Sequence, residues 1–218
     1  MSKRVLIALT SHGDLGGVRP TGFYVPEAAH PWRVFRAAGL DVEVASVRGG
    51  EPPRDGYDPD DAVQREFLDA FDLTRTPVLK DLDSARYAAV LYAGGHGAMW
   101  DFPHDPGVAR IGREVYENGG VVAAVCHGPA ALVGMTLTDG THLVAGKRVA
   151  AFTNAEEKAV GLAETVPFSL ADALTERGAI HEPGPDFQPQ VIVDGRLVTG
   201  QNPASSVPLA EKVVELLR

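Results

Sequence analysis

The hydrophobic pattern of this chain is a series of short apolar runs of strand length, separated by amphipathic stretches of helix length and by Gly- and Pro-rich breaks. Residues 5–10 form the first run and read as a buried strand. A polar, Gly-rich stretch at 11–22 reads as a loop. Residues 26–38 read as a helix, with Pro31 confined to its first turn or making a kink, and Gly39 stops it. Residues 41–46 read as a second strand, which completes a βαβ unit and sets a parallel sheet. The third strand, 88–92, runs into Ala93-Gly94-Gly95-His96-Gly97, and a helix at 107–118 ends on Gly119. Further on come a short strand at 148–152, a helix at 166–177 closed by Gly178, and a C-terminal helix at 208–217. Strands at 191–193 and 196–199 flank Asp194-Gly195, a hairpin signal. The Pro-rich, acidic segment 49–83, with one amphipathic stretch at 62–71, reads as a surface excursion. With no repeat, low-complexity tract or linker in view, the expectation is one α/β domain over 1–218, a doubly wound sheet.

The most informative run is Val121-Val122-Ala123-Ala124-Val125, which stops abruptly at Cys126-His127-Gly128-Pro129 before a second apolar segment. Pro suits a first helical position, so the chain's single cysteine falls where a strand turns sharply into a helix. This is the logic of a nucleophile elbow, in which the reactive atom is held up at the end of the sheet. A following helix N-terminus would favour thiolate over thiol. A lone cysteine in an apolar run is ordinarily an inert core residue, but a core cysteine needs no adjacent His, Gly and Pro at a turn.

A nucleophile needs a base, an orienting group and donors for a developing oxyanion. His127 is the natural base, unless it merely caps the elbow. The Gly94–Gly97 turn ends a strand on the same sheet edge, where doubly wound folds bind ligands. Gly94, Gly95 and His96 are therefore candidates for oxyanion or substrate contacts; a plain βα turn is the bland alternative. The carboxylate should follow the next strand, where Phe152-Thr153-Asn154-Ala155-Glu156-Glu157 offers two acids. Thr153 and Glu156 have capping-box spacing, as do Asn154 and Glu157 less conventionally, and spacing alone leaves the choice open. Glu27 follows the first loop and is placed at the same edge, either to bond the sulfur or only to complement a helix dipole.

Composition narrows the field. Hydrophobic residues make up 44% and charged residues 22% of the 218, ordinary for a globular protein. A net charge of −9 argues against a nucleic-acid partner. One cysteine forms no internal disulfide, which favours a reducing, cytoplasmic setting. The first apolar run is too short for a membrane span or a signal sequence. The histidines at 12, 30, 96, 104, 127, 142 and 181 show no metal-ligand spacing, and no dinucleotide or phosphate-loop fingerprint is present, so neither metal nor cofactor is expected.

Taken together, these motifs resemble the DJ-1/PfpI superfamily, and most of all its Hsp31-like, glutathione-independent glyoxalase III branch. The residues that carry the resemblance are Thr21-Gly22-Phe23 with Glu27, Ala93 to Asp101, Ala124-Val125-Cys126-His127-Gly128-Pro129, Phe152-Thr153-Asn154 with Glu156-Glu157, Val166-Pro167-Phe168, and Thr199 to Ser205. The resemblance implies a flavodoxin-like, glutamine amidotransferase-like fold, usually a homodimer. It implies Cys126 as nucleophile, His127 as base, Glu157 as the orienting carboxylate, Glu27 as the acid touching the cysteine, and the amides of Gly95 and His127 as an oxyanion hole. It further implies a cofactor-free reaction on a small carbonyl substrate such as methylglyoxal. Cysteine-dependent hydrolysis of another metabolite and non-catalytic holdase or redox-sensor roles are the alternatives. Class I amidotransferases show a late His-x-Glu; here His181-Glu182 lacks the intervening residue.

Overall fold

Strand β1 (Arg4–Leu9) sends Val5, Ile7 and Leu9 to one side and Leu6 and Ala8 to the other, all fully buried. A strand apolar on both faces must lie inside a sheet covered on both sides. In the computed structural model, which describes residues 3–218, β1 sits between β3 (Asp41–Ser46) and β5 (Ala89–Tyr92). Beyond β5 come β6 (Val121–Val125), β10 (Leu197–Gly200) and β9 (Val191–Asp194), giving the order β3-β1-β5-β6-β10-β9. All neighbours are parallel except the β9–β10 hairpin, which turns through Gly195 at φ 60°. Two small ribbons complete the strands: β2 (Phe23–Tyr24) with β4 (Arg54–Asp55), and β7 (Arg148–Val149) with β8 (Ile180–His181).

Helices α1 (Val25–Ala37) and α8 (Ser206–Leu216) cover one face, and α2 (Ala62–Ala70) adds Phe67 to the same apolar cluster. The other face is covered by α3 (Ala98–Asp101), α4 (Pro106–Glu117), α5 (Ala130–Val133) and α7 (Leu170–Glu176). The last helix, α6 (Asn154–Ala159), stands at the carboxyl edge of the sheet. This is the expected α/β fold with a mostly parallel central sheet. Among the described residues, no helix is long and apolar enough to cross a membrane.

Three local expectations are corrected. The strand expected at 148–152 shrinks to β7 and does not join the main sheet, because β10 already occupies the place beside β6. Residues 150–152 instead run as an extended connection, pinned by Ala150 N–H to Thr199 Oγ1 and Phe152 N–H to the Cys126 carbonyl. Pro31 lies in the second turn of α1 rather than its first. Helix α7 starts at Leu170 because Ser169 caps it. The segment after the elbow forms the expected short helix, a single turn, α5.

Candidate active site

Cys126 stands at the end of β6 with φ 59°, one of two non-glycine residues with positive φ among those described. Left-handed backbone at a residue with a Cβ costs on the order of 1–3 kcal/mol and persists only where its surroundings enforce it. Here the Cys126 N–H donates to the Gly200 carbonyl at 2.9 Å, the Cys126 carbonyl accepts from Phe152 at 3.0 Å, and Gly128 N–H closes the turn on Val125 at 2.7 Å. Two flanking segments thus hold the elbow, and the thiol is directed at the sheet edge.

From Cys126 a hydrogen-bonded series runs outward. The sulfur lies 3.3 Å from His127 Nδ1, and His127 Nε2 lies 2.8 Å from Glu157 Oε2. An ionised carboxylate only accepts, so Nε2 carries the proton and Nδ1 presents its lone pair to the thiol. His96 joins the same carboxylate, its Nε2 2.9 Å from Glu157 Oε1. The two imidazoles lie 4.1 Å apart between ring centres. Burial pushes His127 down to about 4, with His96 adding to the effect and Glu157 opposing it, so the ring is a neutral base at pH 7. Burial pushes Glu157 upward, but the bonds from His127 and His96 prevail and hold it near 2. One ring nitrogen from each of His96 and His127 and one Glu157 oxygen lie within 4.8 Å of one another, a cluster that linear spacing of histidines does not reveal. Both imidazole N–H groups are directed at the carboxylate, which makes the arrangement an acid–base cluster.

Geometry gives the two adjacent acids different partners. Glu156 and Thr153 form the capping box of α6: Thr153 N–H donates to Glu156 Oε2 and Glu156 N–H to Thr153 Oγ1, both at 3.0 Å. Glu156 Oε1 is taken by Phe187 N–H at 2.7 Å and Asn202 Nδ2 at 2.8 Å. Glu156 is therefore occupied, and Glu157 faces the histidines.

Glu27, in the first turn of α1, is fully buried against the Cys126 side chain and the Gly94 backbone. No donor meets either of its oxygens in full hydrogen-bond geometry. Burial raises it to about 8, and contact with Cys126 and the Gly94 amide only partly opposes this. At neutral pH the group is a carboxylic acid beside the sulfur. Glycines make this approach possible. A Cβ on Gly94 would lie 2.3 Å from Glu27 Oε2 and 2.9 Å from Cys126 Cβ; one on Gly95, at φ 102°, would lie 2.3 Å from the Gly22 carbonyl. The turn thus seats Cys126 and Glu27 and aims His96 at Glu157. His96, expected among oxyanion or substrate contacts, places its ring nitrogen on the carboxylate.

The expectation of a thiolate favoured by a helix N-terminus is corrected. Burial raises Cys126 well above the usual thiol value, Glu27 adds to the rise, and the His127 amide opposes it only in part. One turn of helix does not offset that. The thiol keeps its proton at neutral pH, with His127 Nδ1 3.3 Å from the sulfur. His181 and Glu182 take no part in the cluster: both belong to the ribbon region, where Glu182 pairs with Arg148 at 2.6 Å.

The cluster opens into a cavity of about 270 Å³ lined by Cys126, His127, His96, Gly95, Phe152 and a rim. Of the rim residues, Pro203 belongs to the Thr199 to Ser205 motif, whereas Arg19, Tyr24, Asp55, Val160 and Phe187 carry no motif in the sequence. Tyr24 lies three residues before Glu27, so the segment that leads to the buried acid also supplies the rim. Phe187 comes from a loop with no catalytic motif, and only the folded chain brings it to the site.

Comparison with known proteins places the chain in a family. The model of the DJ-1/PfpI family matches residues 18–216. Glutathione-independent glyoxalase HSP31 of Saccharomyces cerevisiae is 34% identical over 99% of this chain and 98% of its own. The crystal structure of glyoxalase III from Candida albicans superposes with a TM-score of 0.90 at 32% identity, covering 98% of this chain and 97% of that one. Rapid Encystment Protein 24 KDa of Francisella tularensis gives 0.94 at 35% identity, with 99% of both chains covered. On these matches and on its fold, the chain belongs to the DJ-1/PfpI family.

Proposed function

We propose that this protein is a cofactor-independent enzyme of the glyoxalase III type, converting a 2-oxoaldehyde to a 2-hydroxy acid. The observation that carries the reading is the continuous Cys126–His127–Glu157 series, 3.3 and 2.8 Å long at its two links, opening into a cavity. His127 Nδ1 takes the thiol proton as sulfur attacks the aldehyde carbon, and the hemithioacetal forms. Glu157 stabilises the resulting imidazolium. The protonated Glu27 supplies a hydrogen bond to sulfur while it carries charge, and the amides of Gly95 and His127 serve the oxyanion. His127 passes the thiol proton to the oxyanion and, neutral again, removes the proton from the carbinol carbon. The enediol is reprotonated at the neighbouring carbon, leaving a thioester of the 2-hydroxy acid. Water cleaves that thioester and returns the thiol. The net change is addition of one water to the oxoaldehyde, with no external oxidant or reductant. The glyoxalase relatives and the glyoxalase III structure support the same substrate class.

A redox-sensor role asks for an exposed thiol of low pKa; Cys126 is 5% exposed and raised by burial, which favours the enzymatic reading. We propose further that residues 1–218 act as one unit, pair as a homodimer and work in the cytoplasm; sedimentation of the purified chain tests the pairing. The decisive assay is methylglyoxal consumption and lactate formation without glutathione, beside Cys126→Ala. Turnover by the parent chain and its loss in the variant are expected. Full turnover by Cys126→Ala refutes the mechanism.

A further inference from the structure

We infer that the cavity is shaped for 2-oxoaldehydes bearing an aryl substituent rather than a methyl group, an inference that rests on the reaction proposed above. Size is the first argument. A dry cavity of about 150 Å³ holds a benzene ring; this one, at about 270 Å³, holds a ring and the two-carbon oxoaldehyde attached to it. Methylglyoxal would leave most of the space to water.

The second argument is the wall. From the catalytic imidazole, aromatic rings continue outward: His127 to Phe152 at 4.5 Å, then Phe152 to Phe187 at 6.4 Å in an edge-to-face arrangement. Val160 and Pro203 add apolar lining. Across the cavity Arg19 and Asp55 pair at 2.8 Å, so part of the polar wall is engaged with itself. Flat apolar groups gain from such an aromatic slot through offset and edge contacts.

The third argument is what the chain does to hold Phe187 there. Phe187 is 46% exposed, and its backbone adopts φ 58°, the other left-handed non-glycine position among the described residues. Buried Glu156 fixes this conformation by accepting the Phe187 N–H, and Asn202 bonds both Glu156 and the Gln188 carbonyl. A large apolar side chain in a strained backbone, at the mouth of a reactive site, is where an observed outlier points to function. Glu156 is thus a positioning residue for the mouth of the cavity, while its neighbour Glu157 serves the base.

The test separates binding from chemistry. Mandelate and lactate, the 2-hydroxy acids of the aryl and methyl substrates, are titrated calorimetrically into the parent chain, Phe187→Ala and Phe187→Leu. Phenylglyoxal and methylglyoxal turnover are measured alongside. Mandelate is expected to bind at least tenfold more tightly than lactate. That ratio should fall below threefold in Phe187→Ala, with an intermediate value in Phe187→Leu. Equal binding of the two acids, no mandelate binding, or a ratio unchanged in both variants overturns the inference. Methylglyoxal turnover without a mandelate preference leaves the reaction standing and sinks the aryl assignment. A mandelate preference with neither aldehyde consumed keeps the shape of the cavity and sinks the reaction.

Discussion

Replacing Glu27 with Gln should stabilise this protein, and increasingly so as pH rises. The folded chain holds the Glu27 proton to about pH 8 because the carboxyl is fully buried, whereas the ordinary value is 4.5. The unfolded chain therefore releases this proton first. Between these two values the folded state binds more protons than the unfolded, so stability falls with pH. The group is without effect below pH 4.5, and its destabilisation grows by about 1.4 kcal/mol per pH unit until it levels off above pH 8. At pH 7 that amounts to about 3 kcal/mol, an upper figure since nearby groups respond as well. Glutamine keeps the shape of the neutral acid and has no proton to lose. For a chain of this size, 1 kcal/mol moves the midpoint by about 2–4 °C, so Glu27→Gln should melt roughly 6–12 °C above the parent at pH 7. Near pH 4.5 the two should melt together. Scanning calorimetry at pH 4.5, 6, 7 and 8 measures the difference. A gap that does not widen with pH refutes the claim that Glu27 is buried as a neutral acid.

The low value of His127, about 4, predicts that kcat/KM rises with pH through that region and is flat by pH 6; a pH–rate profile limited near 6.5 would contradict a desolvated base. Removing His96 takes away both a donor to Glu157 and an influence that lowers His127. His96→Leu should therefore cut kcat about tenfold, a modest part of the usual range for general acid–base catalysis, with little change in KM. It should also move the acid limb upward, while His96→Gln, which retains a donor, recovers part of the rate. Glu156→Ala leaves the Thr153 and Phe187 amides and Asn202 Nδ2 without this acceptor. At about 1–3 kcal/mol for an unsatisfied buried group, it should lower the urea midpoint by at least the equivalent of 2 kcal/mol. Gly94→Ala puts a methyl 2.3 Å from Glu27 Oε2 and 2.6 Å from the Val125 carbonyl, and should abolish turnover through displacement of both groups, with far-ultraviolet circular dichroism reporting whether the fold survives.

Strands at the centre of the sheet were legible because their signal is local. An apolar run such as Val121 to Val125 is buried on both faces wherever it lies, and Asp194-Gly195 specifies its hairpin without help from the rest of the chain. The elbow was legible for the same reason: Cys126, His127 and Pro129 are contiguous. What escaped was decided by competition in space. Residues 148–152 carry a strand pattern, yet the position beside β6 goes to β10, which arrives 49 residues after β7 begins. The role of His96 was hidden by its neighbours, since Gly-Gly-His-Gly reads as a backbone device and gives no sign that the imidazole meets an acid 61 residues away. Phe187 was invisible because its importance lies in a backbone angle and in the buried acceptor that enforces it.

Three glutamates lie buried at this edge of the sheet, and what faces each one fixes its use. Glu27 faces a thiol and a glycine backbone, with no cation or full hydrogen bond to hold its charge, so it keeps its proton and can donate to sulfur. Glu157 faces two imidazole N–H groups, so it stays ionised and can support a positive charge on His127. Glu156, adjacent to it in sequence, faces two backbone amides and a side-chain amide, and its oxygens are spent on holding the chain in place. One residue type thus supplies an acid, an anion and a strut within a single site. Composition could not distinguish them, and neither could spacing for Glu156 and Glu157. The distinction lies in the donors, and those donors come from turns at residues 94–97, 127 and 153, from the loop around 187 and from Asn202. Substitutions of the three should therefore diverge: Glu27→Gln raises stability, Glu156→Ala lowers it, and Glu157→Gln acts chiefly on kcat, because glutamine cannot accept from both histidines while carrying no charge to stabilise imidazolium.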